Sequence, residues 1–213
     1  MSDDKRYPKR SAVVLKKEMV CSELMRIFLQ LESVYELPSD LHGRHIKLFP
    51  FRDEYKKSYT ISSHNEDVIS LDIMLHLNGR ASVWAKDSAL GDLVDILGPK
   101  KEIKVPLDFN AKEVLLVSDL TGFSTMEYIL SKLDPACRGD LFLICNTHIE
   151  VNNPTKVKIH FVSELDYDVI LKKLKVDIHG HIILGSDQIK SFVQKIDRKF
   201  LDNINVKAYW KTK

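Results

Sequence analysis

The sequence predicts a two-domain β + α/β protein, with a six-stranded antiparallel β-barrel over residues 1–108 and an α/β domain with a mostly parallel sheet over residues 109–213. Two observations carry that expectation. As far as about Asp108 the apolar residues come in short alternating or β-branched runs separated by turn residues, the habit of an antiparallel barrel. After Pro106 strand-like and helix-like runs alternate, which builds a parallel sheet with helices on both faces.

In the first half the six runs are Ala12–Leu15, Met25–Leu31, His45–Phe49, Tyr59–Ile61, Ile69–Leu75 and Leu93–Leu97. Turn pieces such as Pro38-Ser39-Asp40 and His42-Gly43 divide them, and one helix is expected from Arg80 to Asp87. In the second half the strands are Glu113–Ser118, Asp140–Cys145, Lys156–Val162, His181–Leu184 and Ile204–Trp210. Between them stand a helix from Phe123 to Leu133, a short one from Asp166 to Leu174, and a third after Gly185-Ser186-Asp187 with Ile189, Phe192, Val193, Ile196 and Phe200 along its buried stripe. The crevice at the carboxyl ends of such a sheet is the expected ligand position.

Composition is that of a soluble globular protein, 44% apolar and 29% charged with 8 Gly and 7 Pro, which excludes disordered, collagen-like and coiled-coil classes. The charged opening Met1–Arg10 has no apolar run after it, and no long uninterrupted apolar stretch follows, so neither a secretion signal nor a membrane span is expected. Three cysteines, Cys21, Cys137 and Cys145, suit reduced thiols in a cytoplasm. A net charge of +2 is too mild to make nucleic acid a main partner, and the barrel half is nearly charge-balanced, against an oligonucleotide-binding barrel. No metal site is expected: His179-Gly180-His181, His42 and His45 lack carboxylate or Cys partners at ligand spacing. Asp166 and Asp168 read as a helix start.

The chemistry concentrates between Lys57 and Pro99. A strand Lys57-Ser58-Tyr59-Thr60-Ile61 offers an aromatic face, backbone groups and the Thr60 hydroxyl to a planar ring such as an isoalloxazine. Gly79-Arg80-Ala81-Ser82 opens the expected helix with small residues that leave backbone N–H groups exposed for a phosphate pair, and Lys57 supplies charge for the same phosphates.

With Lys57-Ser58-Tyr59-Thr60, His76 to Ala85, Gly91-Asp92, Gly98-Pro99, Asp119 to Ser124 and Ala208-Tyr209-Trp210-Lys211 in that order, the chain resembles the siderophore-interacting protein family. These are FAD-dependent ferric-siderophore reductases related to ferredoxin reductase. The family's motifs are Arg-x-Tyr-Thr, His-Gly-x-Gly-Pro-Ala-x-x-Trp-Ala, Gly-Asp, Gly-Pro, Asp-Glu-Thr-Ala-Leu-Pro and a Gly-Tyr-Trp-Arg ending. The resemblance runs from about Val13 to Lys211. It implies an FAD-binding barrel and a Rossmann-like, NAD(P)-binding-like α/β domain. Tyr59 and Thr60 would line the flavin ring as the catalytic neighbours. Lys57, Ser58, Ile61, Ser62 and Thr121 would join the cofactor site, Gly79, Arg80, Ala81 and Ser82 would hold the pyrophosphate, and His76 and Trp84 would shape the pocket. Tyr209-Trp210 would close over the crevice between the domains.

Departures from the family pattern bear on function. Lys57 replaces an Arg and loses its bidentate fork, Ser62 or Ser63 stands in place of a further Arg, and Leu120 and Ser124 replace the Glu and Pro of the nucleotide turn. The implied activity is reduction of a ferric siderophore or other anionic ferric chelate by single electrons from reduced FAD, releasing Fe(II). NADH, NADPH or a ferredoxin is the implied donor. Lys207, Lys211 and Lys213 are the expected chelate-binding cations, with Lys172, Lys173 and Lys175 behind them. The alternative is an FAD-binding protein of the same fold without reductase activity.

Overall fold

The computed structural model describes residues 9–34, 37–76, 79–99, 108–175, 177–200 and 202–210, with Trp210 described by its backbone alone. The chain divides into two compact units, residues 1–104 and 105–213.

The first unit is a closed barrel of β1 (Lys9–Cys21), β2 (Leu24–Leu31), β3 (His45–Phe49), β4 (Lys57–Asn65), β5 (Val68–Met74) and β6 (Leu93–Leu97), with α1 (Arg80–Asp87) between β5 and β6. Around the barrel the order is β1-β2-β5-β4-β3-β6, and every pairing is antiparallel. Strand alternation fills it: Ile27 and Leu29, Ile46 and Leu48, Ile69, Leu71 and Ile73, and Val94 and Ile96 all meet in one buried cluster. Where a charged residue is buried on the other face it is paired, as in Asp72, which takes two hydrogen bonds from Arg26 at 2.7 and 2.8 Å. Helix α1 lays Trp84 and Ala85 against the barrel core.

The second unit is a five-stranded sheet of β7 (Glu113–Asp119), β8 (Arg138–Ile144), β9 (Lys156–Val162), β10 (His179–Gly185) and β11 (Ile204–Trp210). Its order is β11-β10-β7-β8-β9, and all four pairings are parallel. Helix α2 (Phe123–Lys132) packs Met126, Ile129 and Leu130 on the face that carries Val114 and Leu116. Ile170 of α3 (Tyr167–Leu171) and Phe192 of α4 (Ser186–Lys195) cover the opposite face, with Leu115 and Val117. The chain winds outward from β7 to β9, then returns to the other edge of β7 as β10. The reversal makes a switch point at the carboxyl ends of β7 and β10, where parallel sheets open a crevice.

Among the described residues no helix is long and apolar enough to cross a membrane, and no group of three or more His, Cys, Asp or Glu is placed to hold a metal ion.

Candidate functional site

Strand β4 begins exposed and ends buried. Lys57 and Ser58 face solvent, Tyr59 packs partly into the barrel core, and Thr60 is buried. Burial, with the nearby Tyr55 charge adding to it, pushes the Tyr59 phenol above its ordinary value and keeps the ring neutral. Thr60 stands opposite His45 in the β3–β4 register, and its Oγ1 lies 3.1 Å from His45 Nδ1 in a hydrogen bond whose donor depends on the histidine tautomer.

The next two residues are bonded within the barrel. The Ile61 side chain lies wholly inside the barrel, its N–H goes to the Arg44 carbonyl at 2.8 Å, and its carbonyl accepts from Gly43 at 2.9 Å. Its side chain and N–H are therefore committed to the fold. Ser62 is buried across a bulge in β4, with its hydroxyl 2.7 Å from that of Ser70, which Ser63 also meets at 2.6 Å. Ser62 thus belongs to a serine cluster that ties β4 to β5.

Helix α1 starts without a side-chain cap. Gly79 is its N-cap, and the Val83 N–H to Gly79 carbonyl bond at 2.9 Å opens the ladder, so the N–H groups of Arg80, Ala81 and Ser82 precede it. Ala81 and Ser82 are buried, and the Ser82 hydroxyl donates to the His76 carbonyl at 2.8 Å, holding the approach to the helix. The His76 side chain is exposed. Trp84 is 5% exposed within the barrel cluster. That places its ring in the core, a consequence of its position two-thirds along an amphipathic helix rather than at its start.

Arg80 ties this helix start to the loop before β4. Its Nη2 donates to Asp53 Oδ2 at 2.5 Å, and its guanidinium carbon lies 4.9 Å over the Phe51 ring and 4.5 Å over the Tyr55 ring. The Asp53 carboxyl is held below its usual range, first by the Arg80 hydrogen bond. Lys57 follows Tyr55 by two residues, so the clamp brings the opening of β4 to the opening of α1. The sequence reading did not include Phe51, Asp53 or Tyr55, and considered His45 only as a metal ligand, which it set aside; an Arg and an Asp 27 positions apart give no local signal.

In the α/β unit, Thr121 lies in a 3-10 turn that joins β7 to α2. Asp119 caps that turn, accepting from the Thr121 N–H at 2.8 Å and from its hydroxyl. Gly122 is packed so closely that an added Cβ would lie 2.2 Å from Ser118 Oγ and 2.8 Å from Ile183 Cγ2, which brings the α2 start down onto the switch point. Lys207 in β11 stands 5.0 Å over the Tyr209 ring, and the Tyr209 hydroxyl lies 3.1 Å from that of Thr125. Lys211 and Lys213 lie outside the described residues. Lys173 and Lys175 are paired with Asp140 at 3.1 Å and Glu113 at 2.5 Å near the amino ends of the strands, away from the carboxyl-end crevice.

Comparison with known proteins identifies the segment that holds β4 and α1. Residues 52–103 match the family model of the siderophore-interacting FAD-binding domain. The matched segment begins one residue before Asp53 and runs past the Gly98-Pro99 pair. The chain is also similar to the ferric vibriobactin reductase ViuB of Vibrio cholerae, 25% identical over 163 residues, which are 64% of this chain and 58% of that relative. The chain therefore spans under two thirds of the curated relative. Among solved structures, a siderophore utilization protein from T. fusca aligns with a TM-score of 0.77 at 17% identity, over 96% of this chain and 93% of the other. The siderophore-interacting protein SipS from Aeromonas hydrophila aligns with a TM-score of 0.76 at 19% identity, over 97% and 99%. At those identities the structures establish a shared fold, a six-stranded barrel with a parallel α/β unit.

The residues of the matched segment fit a dinucleotide of FAD's chemistry. An uncapped helix start preceded by glycine suits a diphosphate, Arg80 supplies a cation on its first residue, and Lys57 is an exposed cation at the opening of β4. The half-buried, neutral Tyr59 suits the edge of a planar ring.

Proposed function

We propose that the protein binds FAD through β4 and the start of α1 and is an FAD-dependent reductase of ferric siderophores or other anionic ferric chelates. The observation that supports it best is the Arg80 clamp, which joins the loop before Lys57-Ser58-Tyr59-Thr60 to the first turn of α1 inside the siderophore-interacting segment. In this reading Gly79, Arg80, Ala81 and Ser82 take the diphosphate, with Lys57 and Ser58 at the exposed end of β4. Tyr59 and Thr60 lie against the ring. His76 and Ser82 keep the helix entry in place through the carbonyl–hydroxyl bond.

Bound FAD would supply the chemistry of accepting two electrons together and releasing them one at a time. Each ferric chelate takes one electron, and its iron leaves as Fe(II), because oxygen donors suited to a small trivalent ion hold the divalent ion far less firmly. No proton need move on the chelate, which agrees with a site built of aromatic, hydroxyl and backbone groups. NADH, NADPH or a ferredoxin is the proposed donor. Lys207, Lys211 and Lys213 are the proposed contacts for the anionic chelate. The three cysteines are free thiols, in keeping with a cytoplasmic site of action.

The test is FAD-loaded protein mixed with a ferric chelate, each donor in turn, and a ferrous-specific colour reagent. Ferrous iron forming at a rate proportional to loaded protein supports the reductase reading. Retained flavin with no ferrous iron from any donor would leave the second reading, an FAD-binding protein of this fold without that activity.

A further inference from the structure

We infer that Arg80 is the forked cation for the FAD diphosphate and that Asp53, Phe51 and Tyr55 are the residues that position it, an inference that rests on the FAD reading above. Arg80 is the first residue of α1, so its side chain leaves the backbone at the turn whose N–H groups precede the helix ladder. Two aromatic rings pack within 5 Å of its carbon, and the bond from Nη2 to Asp53 Oδ2 anchors it to the same loop.

Asp53 is itself fixed. Its Oδ1 accepts the Tyr55 N–H at 2.8 Å while Oδ2 takes Arg80, so each carboxylate oxygen has its own task. The guanidinium carries five N–H donors, and the bond to Asp53 engages Nη2, leaving the rest of the fork for phosphate oxygens. Lys57, the other cation at this end, is a point charge on a flexible stem and cannot fix a phosphate in orientation. Position 80 thus supplies here the planar recognition that position 57 lacks.

The two roles open to Asp53 have opposite signs. If it were only a counter-ion competing with the diphosphate, its removal would tighten FAD binding. If it positions Arg80, its removal loosens binding despite taking away a like charge.

The experiment is titration of the full-length apo protein with FAD, followed by quenching of flavin fluorescence at two salt concentrations, with apo-protein melting measured alongside. Arg80→Ala is expected to weaken FAD about tenfold and flatten the salt dependence, and Arg80→Lys, which keeps charge without the fork, to recover only part of that loss. Asp53→Ala is expected to weaken FAD about threefold, and to add nothing in the Arg80→Ala background. Wild-type affinity in Arg80→Ala, tighter binding in Asp53→Ala, or additive losses in the double variant would each overturn the inference. If Arg80→Ala melts too low to assay, Arg80→Lys decides: unchanged affinity and salt slope overturn it. A wild-type protein that takes up no FAD fails the earlier reading, and this one with it, whereas wild-type binding with indifferent variants fails this inference alone.

Discussion

Thr60 and His45 face each other across β4 and β3 with Oγ1 and Nδ1 3.1 Å apart, so the hydroxyl proposed to lie beside the flavin is oriented from the neighbouring strand. Thr60→Val keeps the shape and removes that bond. It should cost about 1 kcal/mol of stability, lower FAD affinity several-fold and alter the visible bands of bound flavin. Thermal melting and a difference spectrum measure both. A variant that melts lower but binds FAD with an unchanged spectrum would take Thr60 out of the cofactor site.

Gly79 offers a way to separate the fold from the site. Its φ is −77° and an added Cβ meets only ordinary contacts, 3.5 Å from Ser82 Cβ and 3.6 Å from His76 Cβ, so a side chain is tolerated there. Gly79→Asp introduces a good N-cap and should leave apo stability the same or raise it by a few tenths of a kcal/mol, roughly the Asp-over-Gly capping difference. The same carboxylate occupies the proposed diphosphate position. Retained stability with loss of FAD uptake is the expected result, and uptake at wild-type affinity would move the diphosphate elsewhere.

In the α/β unit Gly139 is required for a different reason. Gly139 in β8 has φ +131°, and an added Cβ would fall 1.9 Å from the Val114 carbonyl oxygen of the paired strand. Gly139→Ala should therefore cost about 3 kcal/mol or more through backbone displacement where β8 begins to pair with β7. Urea unfolding followed by circular dichroism checks it, with Gly79→Ala as the mild control. Similar midpoints in both variants would contradict the packing described.

Acid should weaken each unit through a paired, partly buried carboxylate. Burial works to raise Asp95, but Lys9 at 2.8 Å and Arg52 at 3.2 Å outweigh it and hold the carboxyl below its ordinary value. Asp140 behaves alike: burial raises it, and His160 and Lys173 bring it down further. A carboxyl lowered by folding stabilises fully above its unfolded value of about 4, and that contribution disappears as pH falls through the lower folded value. Urea midpoints from roughly pH 6 to roughly pH 3 should drop less steeply in Asp95→Asn and Asp140→Asn than in the wild type, with equal slopes counting against these pairs.

Much of the architecture could be read from residue patterns, for identifiable reasons. β3, β6, β9, β11 and α1 have the bounds expected. β1 and β4 are longer than expected, since Lys16, Lys17 and Glu18 in one and Ser62 and Ser63 in the other look like loop, yet bulges after Val14 and Ile61 carry the pairing through them. α3 ends at Leu171 where the pattern suggested Leu174, although its Asp166 cap was legible. The site was legible only where chemistry is local, as in Lys57-Ser58-Tyr59-Thr60 and Gly79-Arg80-Ala81-Ser82. His45 enters through strand register and Asp53 through a loop fold, neither of which residue spacing encodes. Trp84, which could be read from sequence either as a pocket residue by motif or as core on an amphipathic helix, is buried in the barrel cluster.

The central claim is that β4 and the start of α1 hold FAD. Its most direct test is the visible absorption spectrum of the purified protein after loading with FAD and desalting, run beside Gly79→Asp. Flavin bands that stay with the wild type and leave the variant are the predicted result. A wild-type protein that emerges colourless and cannot be reloaded would contradict the account and leave only the fold.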